Sequence, residues 1–150
     1  MTHIRSVFAA LALVGMVAVS SALARVNADE AAVRAAVGHY LEAHATGDGK
    51  HHAMVFHPVA NLYWVDAGEL RQRTGAEYIA GSPGKPAADE PQRKRWIEAV
   101  DVTGTAATAK VILDYPSVKF TDYFLLLKVN GEWKIVNKIF NREQKPPARD

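Results

Sequence analysis

Near the C-terminus, Asp122-Tyr-Phe-Leu-Leu-Leu-Lys-Val129 and Glu132-Trp-Lys-Ile-Val-Asn-Lys-Ile-Phe140 flank the pair Asn130-Gly131. Two β-rich runs around Asn-Gly predict a hairpin closed by a type I′ turn, which needs positive φ at both central residues. A regular ladder from that turn sets Leu126 opposite Ile135, Phe124 opposite Asn137 and Asp122 opposite Ile139. One face then holds Asp122, Phe124, Leu126, Trp133, Ile135, Asn137 and Ile139. The other holds Tyr123, Leu125, Leu127, Val129, Val136 and Phe140, with Lys134 and Lys138. Both faces are apolar enough to need cover, so helices are expected on one side and a partner on the other. Asp122 and Asn137 on the first face suit a pocket. The competing reading leaves Asp122 at a wet strand end and Asn137 at a bulge.

Upstream, Val33, Ala36, Val37, Tyr40, Leu41 and His44 recur at helical spacing and predict a helix over Ala28 to Ala45. Asn27 and Glu30 resemble a capping box at its start, and Gly47 suits its end. Asp48 is expected to cap a short helix from Lys50 to Phe56. Ala60 to Asp66 and Glu69 to Arg73 read as strands, and Thr74 with Glu77 as a second capping box opening a short helix. Ser82 to Pro91, with three prolines, reads as a loop hanging over an opening. Arg93–Val102, Ala106–Tyr115, Val118–Val129 and Glu132–Asn141 form a meander. Helices first and antiparallel strands last define an α+β layout.

The N-terminus changes where this domain is expected to work. Met1 to Arg5 carries charge, Ser6 to Val19 is apolar, and Ala22-Leu23-Ala24 offers a small-residue cleavage site. The pattern is that of a signal peptide over residues 1–24, with an apolar core of about 14 residues, too short to span a bilayer comfortably. A periplasmic or secreted domain over 25–144 and a disordered tail over 145–150 follow, with no stable membrane anchor. Cysteine is absent, which excludes thiolate chemistry and requires a core that is stable without disulfides. The net charge of +2 argues against nucleic acid as a partner. Within the run Arg93-Lys94-Arg95-Trp96, the tryptophan is expected to pack inward and leave a solvated strand end.

The element order, with Tyr40-Leu-Glu-Ala-His-Ala-Thr-Gly47-Asp48 and Phe56-His57-Pro58, resembles the nuclear transport factor two-like superfamily, including its SnoaL-like and ketosteroid isomerase-like branches. Asp122-Tyr123-x-x-Leu126-x-Lys128-x-x-Gly131-x-Trp133-Lys134-Ile135-Val136-Asn137-Lys138 looks like the putative lumazine-binding branch. The resemblance implies a cone-shaped roll: a curved antiparallel sheet of about six strands with three N-terminal helices on its concave face. It also implies that Tyr40, Asp66 and Asp122 stand roughly where isomerase relatives keep a tyrosine and two acids. Asp66 would then move a proton while Tyr40 and a protonated Asp122 bind a developing enolate.

Fold alone does not decide function. The first expectation is a binder of a small apolar or aromatic molecule in a cone lined by Phe56, His57, Trp64, Phe124, Ile135 and Asn137, with no cofactor. The second is an isomerase, dehydratase or cyclase using Asp66 or Asp122 with Tyr40. The third is a ligand-free dimerisation module, and a homodimer through the sheet is expected in any case. His39, His44, His51, His52 and His57 cluster in the chain, but their spacing does not build a metal site.

Overall fold

The hairpin turn closes as its dipeptide dictates, with Asn130 at φ 52° and Gly131 at φ 86°. Around it, the computed structural model describes residues 3–146, with side chains from residue 24. Residues 1–23 of the expected leader and the last four residues of the expected tail, 147–150, lie outside the residues whose side chains are described. The elements are α1 (His3–Thr46), α2 (Gly49–Val55), β1 (Phe56–Asp66), β2 (Glu69–Thr74), α3 (Gly75–Ala80), a single 3₁₀ turn (Glu90–Gln92), β3 (Lys94–Thr103), β4 (Ala106–Asp114), β5 (Val118–Val129) and β6 (Glu132–Gln144). Asn27 is not a cap, because α1 runs straight through it, and Glu30 pairs instead with Arg34 one turn on. Among the described residues no helix is long and apolar enough to cross a membrane.

The strands form one sheet in the order β2-β1-β6-β5-β4-β3. It is mixed rather than wholly antiparallel, since β1 runs parallel to β6. Val33, Val37, Tyr40 and Ala43 make the buried stripe of α1, at the spacing one helix face requires. From that stripe Val33, Val37 and Tyr40 pack with Phe56, Leu62, Val111, Leu113, Phe124, Leu126, Trp133 and Ile135 into one core on the concave side of the sheet.

Two local features position the site. At the α1–α2 corner Gly47 has φ +72°, and a Cβ there would lie 2.1 Å from the Lys85 carbonyl oxygen, so only glycine fits. The Gly84 N–H donates to the Gly47 carbonyl (2.9 Å), which ties the Pro-rich loop down onto this corner. Asp48 caps α2 by accepting from the Lys50 N–H, and Thr74 and Glu77 form the reciprocal capping box of α3.

The second feature corrects the hairpin register. Leu126 faces Ile135, but Leu125 faces Asn137, Phe124 faces Lys138 and Asp122 faces Phe140. Val136 is an extra residue, a β-bulge that leaves it without a ladder partner and turns everything after it to the other face. Asn137 and Ile139 therefore point to the convex side, and Lys138 and Phe140 to the concave side. Parity also reverses the basic run. Arg95 turns inward beside Leu113, held by both Glu90 carboxylate oxygens at 2.6 and 2.9 Å, while Trp96 is 40% exposed.

Candidate functional site

A cleft of about 730 Å³ opens between α1, α3, β1 and the far end of the hairpin. Leu62, Trp64, Leu113, Phe120 and Phe140 supply its apolar wall, with Trp64 stacked on Phe140 at 5.3 Å. That volume is in the usual range for a small-molecule site. Its closed end carries Tyr40, Tyr78, His44 and Lys138.

Strand pairing brings Lys138 beside both Leu62 and Phe124, two residues along β5 from Asp122. Its Nζ lies 3.1 Å from Asp122 Oδ2 and donates to the Tyr40 hydroxyl at 2.6 Å. Tyr40 in turn donates to the same Asp122 oxygen at 2.6 Å. Asp122 and Tyr40 are fully buried and Lys138 is 3% exposed. The ammonium is boxed by the rings of Phe140 (4.8 Å), Tyr40 (4.9 Å), Tyr78 (5.3 Å) and Phe124 (5.8 Å), which offset part of its lost hydration.

The neighbouring bonds continue the network in one direction. Burial, reinforced by Lys138 and His52, holds His44 well below its usual range, so the ring is neutral. The Tyr40 O–H is directed at Asp122, so Tyr78, 3.3 Å away, donates to Tyr40. The His44 Nε2 must then carry a hydrogen to donate to Tyr78 at 2.9 Å, leaving Nδ1 to accept from Tyr115 at 3.3 Å. The result is a chain from Tyr115 through His44, Tyr78 and Tyr40 to Asp122. Burial raises Tyr40, and Asp122 and Tyr78 add to that rise, so its phenol stays protonated. Burial lowers the Lys138 amine against the opposing pull of Asp122. Asp122 Oδ1 is buried with no partner among the described residues, so one carboxylate oxygen is free to accept a further hydrogen bond or a proton.

The structure distributes the sequence candidates unevenly. Tyr40 and Asp122 meet, and Trp64 lines the wall. Asp66 is exposed at the mouth, where Ala67 (φ 50°) and Gly68 (φ 83°) turn the chain, and it does not join the network. Phe56, Phe124 and Ile135 are sealed in the core beneath the cleft rather than lining it. Asn137, expected in the pocket, is on the opposite face because of the bulge. His57 is half-buried and accepts from the Val59 N–H at 3.3 Å, away from the cleft. Lys138 and Tyr78 escaped the sequence reading. The adjacent apolar pairs Ile135-Val136 and Ile139-Phe140 are the one visible trace of the phase change that brings Lys138 inside. Among the described residues no three metal-ligating groups converge.

The sheet, its overlying helices and the cleft between them define a protein of the NTF2-like class. The match to known proteins makes this narrower: residues 28–141 fit the model of the family described as Putative lumazine-binding, and the chain belongs to that family. It is similar to an NTF2-like protein of unknown function from Shewanella baltica, 28% identical with a TM-score of 0.69 over 77% of this chain and 94% of that one. A second such protein, from Methylobacillus flagellatus, is 29% identical with a TM-score of 0.65, covering 77% of this chain and 92% of that one. Aldolase FrzH of a Cladobotryum species is 29% identical over 107 residues, which is 68% of this chain and 82% of the aldolase.

Proposed function

We propose that this protein, exported by the leader pattern of residues 1–24, binds a small molecule with a flat apolar body and a carbonyl or enolate oxygen at one end. The observation that carries this reading is the convergence of Lys138, Tyr40, Asp122 and Tyr78 at the closed end of a cleft whose wall holds Trp64, Phe120 and Phe140, with Arg73 and Arg142 among its other lining residues. Stacking against Trp64 and Phe140 holds the body. Lys138 offers the oxygen the one N–H that Tyr40 and Asp122 leave unused, and Tyr78, the most exposed of the four, turns its hydroxyl from Tyr40 to the ligand to supply a second hydrogen. On the convex side Tyr123, Leu125, Leu127 and Ile139 are 42 to 54% exposed and adjacent, a patch that a second copy of the chain would cover.

Native mass spectrometry of protein recovered from an exporting host tests the three parts together. The expected spectrum shows cleavage after Ala24, a dimer, and a small-molecule adduct that survives gentle desolvation. An intact leader, a strict monomer at high concentration, or the repeated absence of an adduct each removes the corresponding part. Tyr78→Phe removes one hydrogen bond, and affinity for an aromatic ketone should fall about fivefold, as loss of about 1 kcal/mol implies. Quenching of Trp64 fluorescence measures it.

A second reading is enzymatic and is favoured by the free Asp122 Oδ1 beside a phenol and an amine. In it, Asp122 rather than Asp66 takes the proton next to the carbonyl, and Tyr40 with Lys138 steadies the oxygen. The relative bearing the name aldolase supports chemistry next to a carbonyl. Proton exchange of a bound ketone in deuterated water, lost in Asp122→Asn, is the expected signature.

A further inference from the structure

The structure assigns Lys138 a covalent role: its amine condenses with the carbonyl carbon of an aldehyde or ketone held in the cleft, forming an imine. This inference rests on the binding reading above and names the substrate class as carbonyl compounds with an aromatic or extended apolar body. Its grounds are geometric. Lys138 is the one primary amine among the residues lining the cleft. It stands at the closed end, where a ligand stacked on Trp64 and Phe140 places its terminal group. A carboxylate and a phenol are within hydrogen-bond reach of the same nitrogen, and of each other.

Those partners match the proton movements that imine formation requires. The ammonium passes one proton to Asp122, and the freed amine adds to the carbonyl carbon, sending the C=O π electrons onto oxygen. A second proton moves from nitrogen to that oxygen, with Tyr40 placed to relay it, and gives the carbinolamine. Asp122 then returns the first proton to the hydroxyl, which leaves as water while the nitrogen lone pair forms C=N. The outcome is a protonated imine and one water from one ammonium and one carbonyl, with no change in oxidation state. The cationic imine stays beside Asp122 and inside the aromatic box that held the ammonium, so the site's charge is the same before and after. Burial also favours the neutral amine that must attack.

Exposed lysines such as Lys50 and Lys94 share the amine but do not line the cleft. Wild-type protein is incubated at neutral pH with 2-naphthaldehyde and cyanoborohydride, then digested and mapped by mass spectrometry, while Trp64 quenching by the naphthalene ring reports occupancy independently. Reduced adduct is expected at Lys138 about tenfold faster than at any exposed lysine, as expected for a depressed amine pKa with adjacent acid–base partners. Lys138→Met paired with Asp122→Leu, chosen so that no buried charge is orphaned, should lose only that adduct. Saturable quenching with no preference for Lys138 overturns the imine and leaves the binding reading standing. Absence of both quenching and preferred labelling overturns the two together.

Discussion

Asp122→Leu is expected to destabilise the protein by about 3–5 kcal/mol, the cost of stranding a buried charge without its partner. Lys138 is 3% exposed and its nearest counter-ion is Asp122, 3.1 Å away. Removing the carboxylate also takes away the acceptor of the Tyr40 hydroxyl, which would then share its remaining lone-pair contacts with a lysine forced toward neutrality. The double variant Asp122→Leu with Lys138→Met should recover most of the loss, because a buried ion pair exchanged for apolar groups of similar size is often neutral. Urea denaturation of the two single variants and the double measures the coupling. If the double variant loses the sum of the two single losses, the pair is not the unit described.

Acid should unfold this protein more readily than its exposed carboxylate pairs alone would suggest. His52 is held at about 4 by burial first, and then by Lys138 and His51. His44, buried beside it with ring centroids 5.2 Å apart, is also lowered, chiefly by burial. A histidine whose folded pKa is depressed binds its proton more readily in the unfolded chain. Its contribution to stability is therefore complete above the unfolded value near 6.5 and is lost as pH falls toward the folded one. Each tenfold difference in proton affinity is worth about 1.4 kcal/mol, so His52 alone withdraws about 3 kcal/mol between pH 6.5 and 4. His52→Phe, packed against Tyr40, Tyr78 and Phe56, keeps the aromatic cluster but not the titration. Stability against pH should be markedly flatter for it over that window. Parallel curves for variant and wild type would refute the assignment.

Much of this architecture was legible because it is written in local rules. The Asn130-Gly131 turn, the Asp48 cap, the Thr74–Glu77 box and the Val33, Val37, Tyr40 stripe each depend on residues within a few positions of one another. The start of α1 was misplaced because Asn27 and Glu30 satisfy the capping pattern while the residues before them are equally good helix formers. The site was legible only in part. Tyr40 and Asp122 are buried on elements whose phase could be counted, and they meet. Lys138 was assigned to the wrong face because a bulge is a property of two strands, and the adjacent apolar pairs of β6 hint at a change of phase without saying which residue lacks a partner. Arg95 and Trp96 exchanged places for a similar reason, since the two Glu90 bonds that hold Arg95 inward join the 3₁₀ turn to the strand that follows it. Asp66 misled because its place in the chain resembled a functional one, while the Ala67-Gly68 turn beside it leaves it in solvent.

The unpaired Val136 works as a switch of odd for even. Before it, odd-numbered residues of β6 face the helices. After it, even-numbered ones do, so the strand carries two numbering frames joined at one residue. Because of that junction, a cation that a regular strand would present to solvent or to a neighbouring chain is instead enclosed with an acid and four aromatic rings. Chemical identity at position 138 is thus only half of what the cleft requires. The other half is a count of residues, and a relative with the same lysine but an uninterrupted strand would carry the letter without the site.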